Sequence, residues 1–317
     1  MVTDAALGAC LVLGASSQLG DCVVPRLLAA QYRVHAVSRQ RYEAPIYTRP
    51  TDKTEPKQQA ESEPELNQLQ WHHFDLNSVH TWPIAVTVVV HLAPLYLLPA
   101  LLRHAPTPVR VIAISSTSAR TKQHSPALAE RQMAQRLCQA EQALQQLCAA
   151  QGHSLTILRP TMLYGLGRDA TIGRMQAFVR RWHFLPIPAT ATGLRQPVHV
   201  EDIAAAVLQV LDQPRSRAQI YELGGAQRLT VQQMARCICE DNRLPVRIVS
   251  IPAAVLYTLL KILAWLRPSL DWSPALLQRA AVDQIADNQP AIDDFGYAPR
   301  RFDGAFYRSA AGPVRRS

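Results

Sequence analysis

Ten residues near the N-terminus, Leu11-Val12-Leu13-Gly14-Ala15-Ser16-Ser17-Gln18-Leu19-Gly20, read as a strand, a glycine-containing turn and a helix start. Such a turn aims free backbone N–H groups and the positive end of a helix at an anion, and a pyrophosphate suits that geometry. Gly14 permits the tight turn, Gly20 lets the helix pack closely on the strand, and Ser17 stands where a middle glycine is usual. At the end of the second expected strand, Val37-Ser38-Arg39 offers no carboxylate for a ribose 2′-hydroxyl. Arg39 instead supplies a guanidinium where a 2′-phosphate would sit, so the pair Ser38 and Arg39 predicts NADP rather than NAD.

These residues need a parallel sheet to position them, and the chain supplies the pattern for one. Short apolar runs at Ala9–Gly14, Arg33–Ser38, Gln70–Phe74, Thr87–Leu92, Val109–Ser115 and Ser154–Arg159 alternate with helical stretches, as in an α/β fold. Leu11-Val12-Leu13, Val88-Val89-Val90 and Val111-Ile112-Ala113-Ile114 are apolar at every position, as strands covered by helices on both faces must be. Glu43–Asn67, rich in Pro, Glu, Gln, Lys and Thr, reads as a solvated, mobile insertion. A long helix is expected over Ser125–Ala150, opened by Ser-Pro, with Met133, Leu137, Ala140, Leu144 and Leu147 as its inward stripe. Further helices are expected at Val200–Leu211, Thr230–Glu240, Pro252–Leu266 and Pro274–Ile285. The fold class is therefore α/β, a Rossmann-type doubly wound parallel sheet with a small α-rich C-terminal lobe. Residues 1–164 form the dinucleotide-binding domain, and residues 165–317 form mainly the lobe, with some segments returning to the sheet.

Several segments, in order, resemble the extended short-chain dehydrogenase/reductases, which include nucleotide-sugar epimerases and dehydratases. The glycine turn matches their Gly-x-x-Gly-x-x-Gly with Ser17 at the second position. Asp75-Leu76, His91-Leu92-Ala93 and Ser115-Ser116-Thr117 follow or end the third, fourth and fifth strands. Arg159-Pro160 leading to Tyr164-Gly165, His199-Val200-Glu201-Asp202-Ile203-Ala204, and Tyr221-Glu222-Leu223-Gly224-Gly225 continue the likeness. The resemblance implies cofactor contacts from Gly14, Ser16, Ser17, Gln18, Leu19, Gly20, Ser38, Arg39, Asp75, Leu76, Leu92, Ala93, Ser115 and Pro160. It also implies that Arg195 grips a substrate diphosphate; pairing with a carboxylate inside the lobe is the other reading of that arginine.

The chain departs from this family at its reactive centre. The family carries Tyr-x-x-x-Lys on the long helix, with a Glu four residues beyond the Lys. Aligning that Glu on Glu141 puts Leu137 at the lysine position and Met133 at the tyrosine position, and no tyrosine occurs between Tyr96 and Tyr164. The phenol that moves a proton and the ammonium that lowers its pKa are both missing. Thr117 falls at the family's catalytic Ser/Thr position, and Lys122 follows it by five residues, either as a surrogate charge or as a solvated loop lysine. The literal Tyr-x-x-x-Lys from Tyr257 to Lys261 lies on an apolar helical stretch in the lobe and reads as coincidence.

Composition narrows the classes further. Of 317 residues, 48% are apolar and 18% charged, a globular balance, and 33 Lys+Arg against 24 Asp+Glu give a net charge of +9. Only Lys53, Lys57, Lys122 and Lys261 are lysines, so the basic excess is arginine, scattered among few aromatics. That excludes a nucleic-acid stripe and favours anionic small molecules. Six cysteines without a Cys-x-x-Cys pair predict reduced thiols, no metal and a cytoplasmic location, and no apolar run is long enough for a transmembrane segment. Two functions stay open: an NADP-dependent oxidoreductase or epimerase acting on a hydroxyl of a nucleotide-sugar-like or other anion, or a non-catalytic NADP(H)-binding scaffold lacking the Tyr/Lys dyad. The expected partners are a small-molecule substrate and either a second copy or a partner protein, such as the family's member in respiratory complex I has. The apolar stretch Pro252–Leu266 adds a lipid-like substrate or membrane-surface contact as a third option.

Overall fold

Seven strands lie side by side in the order β7-β6-β5-β4-β1-β2-β3, and all six neighbouring pairs are parallel. They are β1 (Leu7–Leu13), β2 (Tyr32–Ser38), β3 (Leu69–His73), β4 (Val88–His91), β5 (Arg110–Ile114), β6 (Ser154–Pro160) and β7 (Gln219–Leu223). The computed structural model describes residues 7–39, 47–48, 68–78, 81–167, 169, 171–242, 247–252, 254–256, 258, 281–304 and 308–309. Alternate residues of the central strands enter opposite cores. Cys10, Val12, Val90 and Ile112 pack with Val23 and Leu27 of α1 (Gly20–Ala29) and, across the same face, with residues of α6, Val200–Asp212. Leu11, Leu13, Val89 and Val111 pack on the other face with Leu98 and Leu101 of α2 (Leu98–Leu102) and Leu144 of α4 (Leu128–Gln151). Burial on both faces is why these strands are apolar throughout, each large side chain contributing about 1.5–3 kcal/mol.

The sheet order reverses between β1 and β4, which are hydrogen-bonded neighbours with Leu13 opposite His91. A crevice at the carboxyl ends of the strands opens at such a switch point. The short helix α3 (Ser118–Thr121) follows β5, and α4 then crosses back to β6.

The long helix begins three residues later than expected, at Leu128. Ser125 lies before its first turn, where its hydroxyl accepts the Ala127 N–H at 3.2 Å and donates to Glu130 at 2.6 Å. It ends at Gly152, whose φ of +71° is the left-handed conformation that closes helices. The inward stripe differs from the expected one. Glu130, Ala134, Ala140, Glu141, Leu144 and Cys148 are buried, whereas Met133 is 40% exposed and Leu137 and Leu147 are half-buried. Small side chains at Ala134, Ala140 and Cys148 let the helix approach the sheet closely, and Glu141 turns inward because polar partners meet it there.

Beyond β6, Phe184–Pro188 pairs in parallel with Arg247–Ile251, flanked by α5 (Ile172–Trp182) and α7 (Val231–Asp241). Thr230 and Gln233 form a capping box at the start of α7, a reciprocal arrangement that satisfies two terminal N–H groups. The helix α8 (Gln289–Phe295) returns to the sheet at β7, where Ala291, Phe295 and Tyr297 join the core and the Phe295 ring meets Tyr221 edge-on at 5.1 Å. Of the expected insertion at 43–67, Tyr47–Thr48 pairs antiparallel with Arg308–Ser309 and the rest lies outside the described residues. Within the helix expected over Pro252–Leu266, residues 254–256 and 258 are helical, and Tyr257 and Lys261 lie outside the described residues. The expected helix at Pro274–Ile285 is not seen in residues 281–285, which form a turn and an isolated bridge. The cysteines are free thiols, four of them buried. No described helix is long and apolar enough to cross a membrane.

Candidate functional site

The turn after β1 is built from backbone contacts that leave no room for larger residues. Gly14 has φ +81°, and a Cβ there would stand 2.8 Å from the Ala93 nitrogen. A Cβ on Gly20 would stand 2.1 Å from the Ala15 carbonyl oxygen. The Ala15 N–H donates to the Val37 carbonyl at 3.1 Å and the Ser17 N–H to the Gly14 carbonyl at 3.0 Å, which pins the turn to β2 and to itself. Ser17, in the place of a middle glycine, has a specific use. Its hydroxyl oxygen accepts the Gly20 N–H at 3.1 Å and so caps the first turn of α1.

A cleft of about 360 Å³ opens over this turn. Of the residues expected to hold a cofactor, Gly14, Ser16, Ser17, Ser38 and Arg39 line it from β1 and β2. Asp75, Leu76, Leu92 and Ala93 line it from the ends of β3 and β4. The remaining five lie outside the lining. Gln18 donates its side-chain amide to the Gly165 carbonyl. Leu19 is buried in the sheet core and Gly20 is buried at the helix start. Ser115 donates its hydroxyl to Glu141, and Pro160 is buried at the end of β6.

Asp75 accepts the Asn77 N–H at 3.0 Å and its side-chain amide at 2.9 Å. Those two hydrogen bonds, with a smaller contribution from the Arg39 charge, hold its carboxyl below the usual carboxylate range. The edge of the cleft therefore places a carboxylate, Asp75, and a guanidinium, Arg39, on one lining. Phe74, Asn77 and Tyr96 also line the cleft and were not singled out by the sequence. Asn77 had a readable signal, an Asx turn two residues after Asp75. Tyr96 had none.

The other expected site residues are anchored elsewhere. Thr117 is buried at the start of α3, with its N–H 3.1 Å and its hydroxyl 3.4 Å from the Pro160 carbonyl. Lys122 is ion-paired with Glu130 at 3.2 Å. Arg195 is 5% exposed, and its Nη1 donates to the carbonyls of Leu194 at 2.9 Å and Val282 at 2.6 Å. Glu141, 3% exposed at its side chain, is held by Arg159 through two hydrogen bonds, Nε to Oε1 at 2.9 Å and Nη2 to Oε2. One and two turns earlier on α4, Leu137 and Met133 line a second cleft of about 330 Å³, together with Tyr96. Among the described residues no group of His, Cys, Asp and Glu could hold a metal ion.

A profile of the NAD dependent epimerase/dehydratase family matches residues 10–224, from within β1 to just past β7. The chain belongs to that family. This epimerase/dehydratase family member is similar over 93% of its length to MoeE5 in complex with UDP-glucuronic acid and NAD, at 18% identity, 95% coverage of that chain and a TM-score of 0.67. It is likewise similar to the terminal R domain of the myxalamid PKS-NRPS pathway, at 15% identity, with 95% of this chain and 88% of that one covered and a TM-score of 0.68. A variant of UDP-glucuronic acid 4-epimerase from Bacillus cereus, bound to a fluorinated UDP-glucuronic acid and NAD, matches at 15% identity, 92% and 94% coverage and a TM-score of 0.63. At these identities the likeness is one of fold. A curated relative, the mitochondrial NADH dehydrogenase [ubiquinone] 1 alpha subcomplex subunit 9 of Arabidopsis thaliana, is 35% identical over 98 residues. That stretch is 31% of this family member and 24% of the relative's length.

Proposed function

We propose that the protein is an NADP-binding, atypical short-chain dehydrogenase/reductase whose reaction is hydride transfer at a hydroxyl or carbonyl of an anionic small molecule. The observation that carries the cofactor half is the pairing of Arg39 with the glycine turn in one cleft, with no carboxylate at the end of β2. The steric limits at Gly14 and Gly20 support a backbone approach to a pyrophosphate, and Asp75 supports a hydrogen bond to an adenine amine. When bound, the nicotinamide supplies the hydride chemistry. The protein's own part is to bind through this turn and to orient the nucleotide through Ser38, Arg39 and Asp75. Nucleotide sugars, bound by MoeE5 and the Bacillus cereus epimerase, are the substrate class this reading names first. Thr117 and Lys122 stay in it as polar groups near the sheet mouth, and Arg195 as a substrate contact only if its carbonyl hydrogen bonds open.

A second reading is a non-catalytic NADP(H)-binding protein that stabilises a partner. Apolar Met133 and Leu137 at the dyad positions favour it, as does the partial likeness to a respiratory-complex subunit. Six of the seven sheet strands precede residue 164, which supports residues 1–164 as the main nucleotide-binding part and the later residues as mainly the substrate side; the reading keeps the cytoplasmic location expected from the cysteine usage. Fluorescence titration tests the cofactor reading: NADPH should bind about tenfold or more tightly than NADH, and Arg39→Ala should erase the difference. Equal affinities in the unmodified protein would sink it.

A further inference from the structure

Tyr96, at the turn between β4 and α2, is 57% exposed and borders three clefts at once. One is the cleft over the glycine turn. The second is the cleft over Met133 and Leu137, and the third, of about 550 Å³, lies between α2 and α4 and is lined by Arg103, Arg136 and Ala140. The shared ring makes these one trough, leading from the expected nucleotide along the outer side of α4. Its volumes fall in the range of small-molecule sites.

The lining has a definite chemical character. Tyr96 and Met133 are large and exposed, an apolar surface a soluble chain does not leave open without cost. Among the described residues, the only charged ones along the two outer clefts are Arg103 and Arg136, and no carboxylate lines either one. Neither guanidinium has a hydrogen-bond or ion-pair partner among the described residues. Two unpartnered planar donors over an apolar floor suit the phosphate or carboxylate of an organic anion, with its hydrocarbon part against Tyr96 and Met133.

We propose that the groove between α2 and α4 is a binding site for a small organic anion, its charged group met by Arg103 and Arg136 and its apolar body covering Tyr96 and Met133. The proposal rests on the dinucleotide reading of the adjoining cleft, to which it adds the place where the second ligand is held. It puts the anion-binding arginines just past the end of α2 and on α4 rather than at Arg195.

Calorimetry with the NADPH-saturated protein tests it, with 1-naphthyl phosphate as the probe and 1-naphthol as its neutral counterpart. Naphthyl phosphate should bind at low salt, weaken as salt rises, and exceed naphthol by about tenfold or more. Arg103→Gln and Arg136→Gln should each weaken the phosphate about tenfold and leave naphthol and NADPH binding unchanged, the latter serving as the control for folding. Equal binding of the two probes, unchanged binding in the double variant, or displacement of the phosphate by NADPH would overturn the site. So would a sedimenting dimer that takes up no probe and falls apart in Arg136→Gln, since a second copy would then be the occupant. Failure of NADPH itself to bind would instead remove the cofactor reading.

Discussion

Arg159 at the end of β6 grips both carboxylate oxygens of Glu141 on α4 with the Nε/Nη2 edge of its guanidinium, and the carboxylate also accepts the Ser115 hydroxyl from the end of β5. This cluster ties the long helix to two neighbouring strands and fixes which helix face meets the sheet. It also sets the registration of Leu137 and Met133 four and eight residues upstream. Arg159 keeps its charge, because its hydrogen bonds to Glu141 outweigh the cost of burial and raise its pKa.

Breaking that pair from one side should cost far more than replacing it. Arg159→Met leaves a buried carboxylate with one hydroxyl partner, and a loss of about 3–5 kcal/mol is expected in urea unfolding. Combining it with Glu141→Leu should recover a large part of that loss. Additive losses in the double variant would show that the charges are not coupled.

Met133→Ala should change stability by no more than about 0.5 kcal/mol, because the side chain is exposed and not part of the core. The helical stripe read from sequence gives the opposite expectation, a core truncation of about 2–5 kcal/mol. Thermal melts of one variant separate the two.

Gly20→Ala places a methyl group against the Ala15 carbonyl, which must shift to admit it. We expect about 1–3 kcal/mol of destabilisation and weakened NADPH binding, because the turn that presents its N–H groups is displaced. Wild-type affinity in a folded Gly20→Ala protein would show that the turn does not approach a nucleotide.

His91 is fully buried, and burial lowers its pKa from 6.5 to about 4, against a hydrogen bond with the Pro94 carbonyl. Above about pH 6.5 the imidazole is neutral in both the folded and unfolded chains and no proton linkage operates. As pH falls from there toward 4, the unfolded chain binds a proton that the folded one does not, so stability declines. Between pH 6.5 and 5, His91→Leu should lose less stability than the unmodified protein. Parallel pH dependences would assign the acid sensitivity to other groups.

The strand, turn and helix around Gly14 were legible in the sequence because their causes are local. A run such as Leu11-Val12-Leu13 has one stable use, a strand covered on both faces, and Gly14 at φ +81° tolerates no other residue type comfortably. Six strands lie within two residues of their expected bounds for that reason. The seventh, Gln219–Leu223, was legible only through family resemblance, since its own pattern is mixed. The tertiary structure alone decided how α4 is turned, because a helical stripe of Met and Leu competes with an inward Glu whose partner, Arg159, comes eighteen residues later. It alone engaged Arg195 with carbonyls, one of them from Val282, and paired Lys122 with Glu130. It also brought Tyr96 to the meeting point of three clefts. These are contacts between residues distant in the chain or on separate elements, and the energy that selects them arises only when the packed sheet brings their partners within a few ångströms.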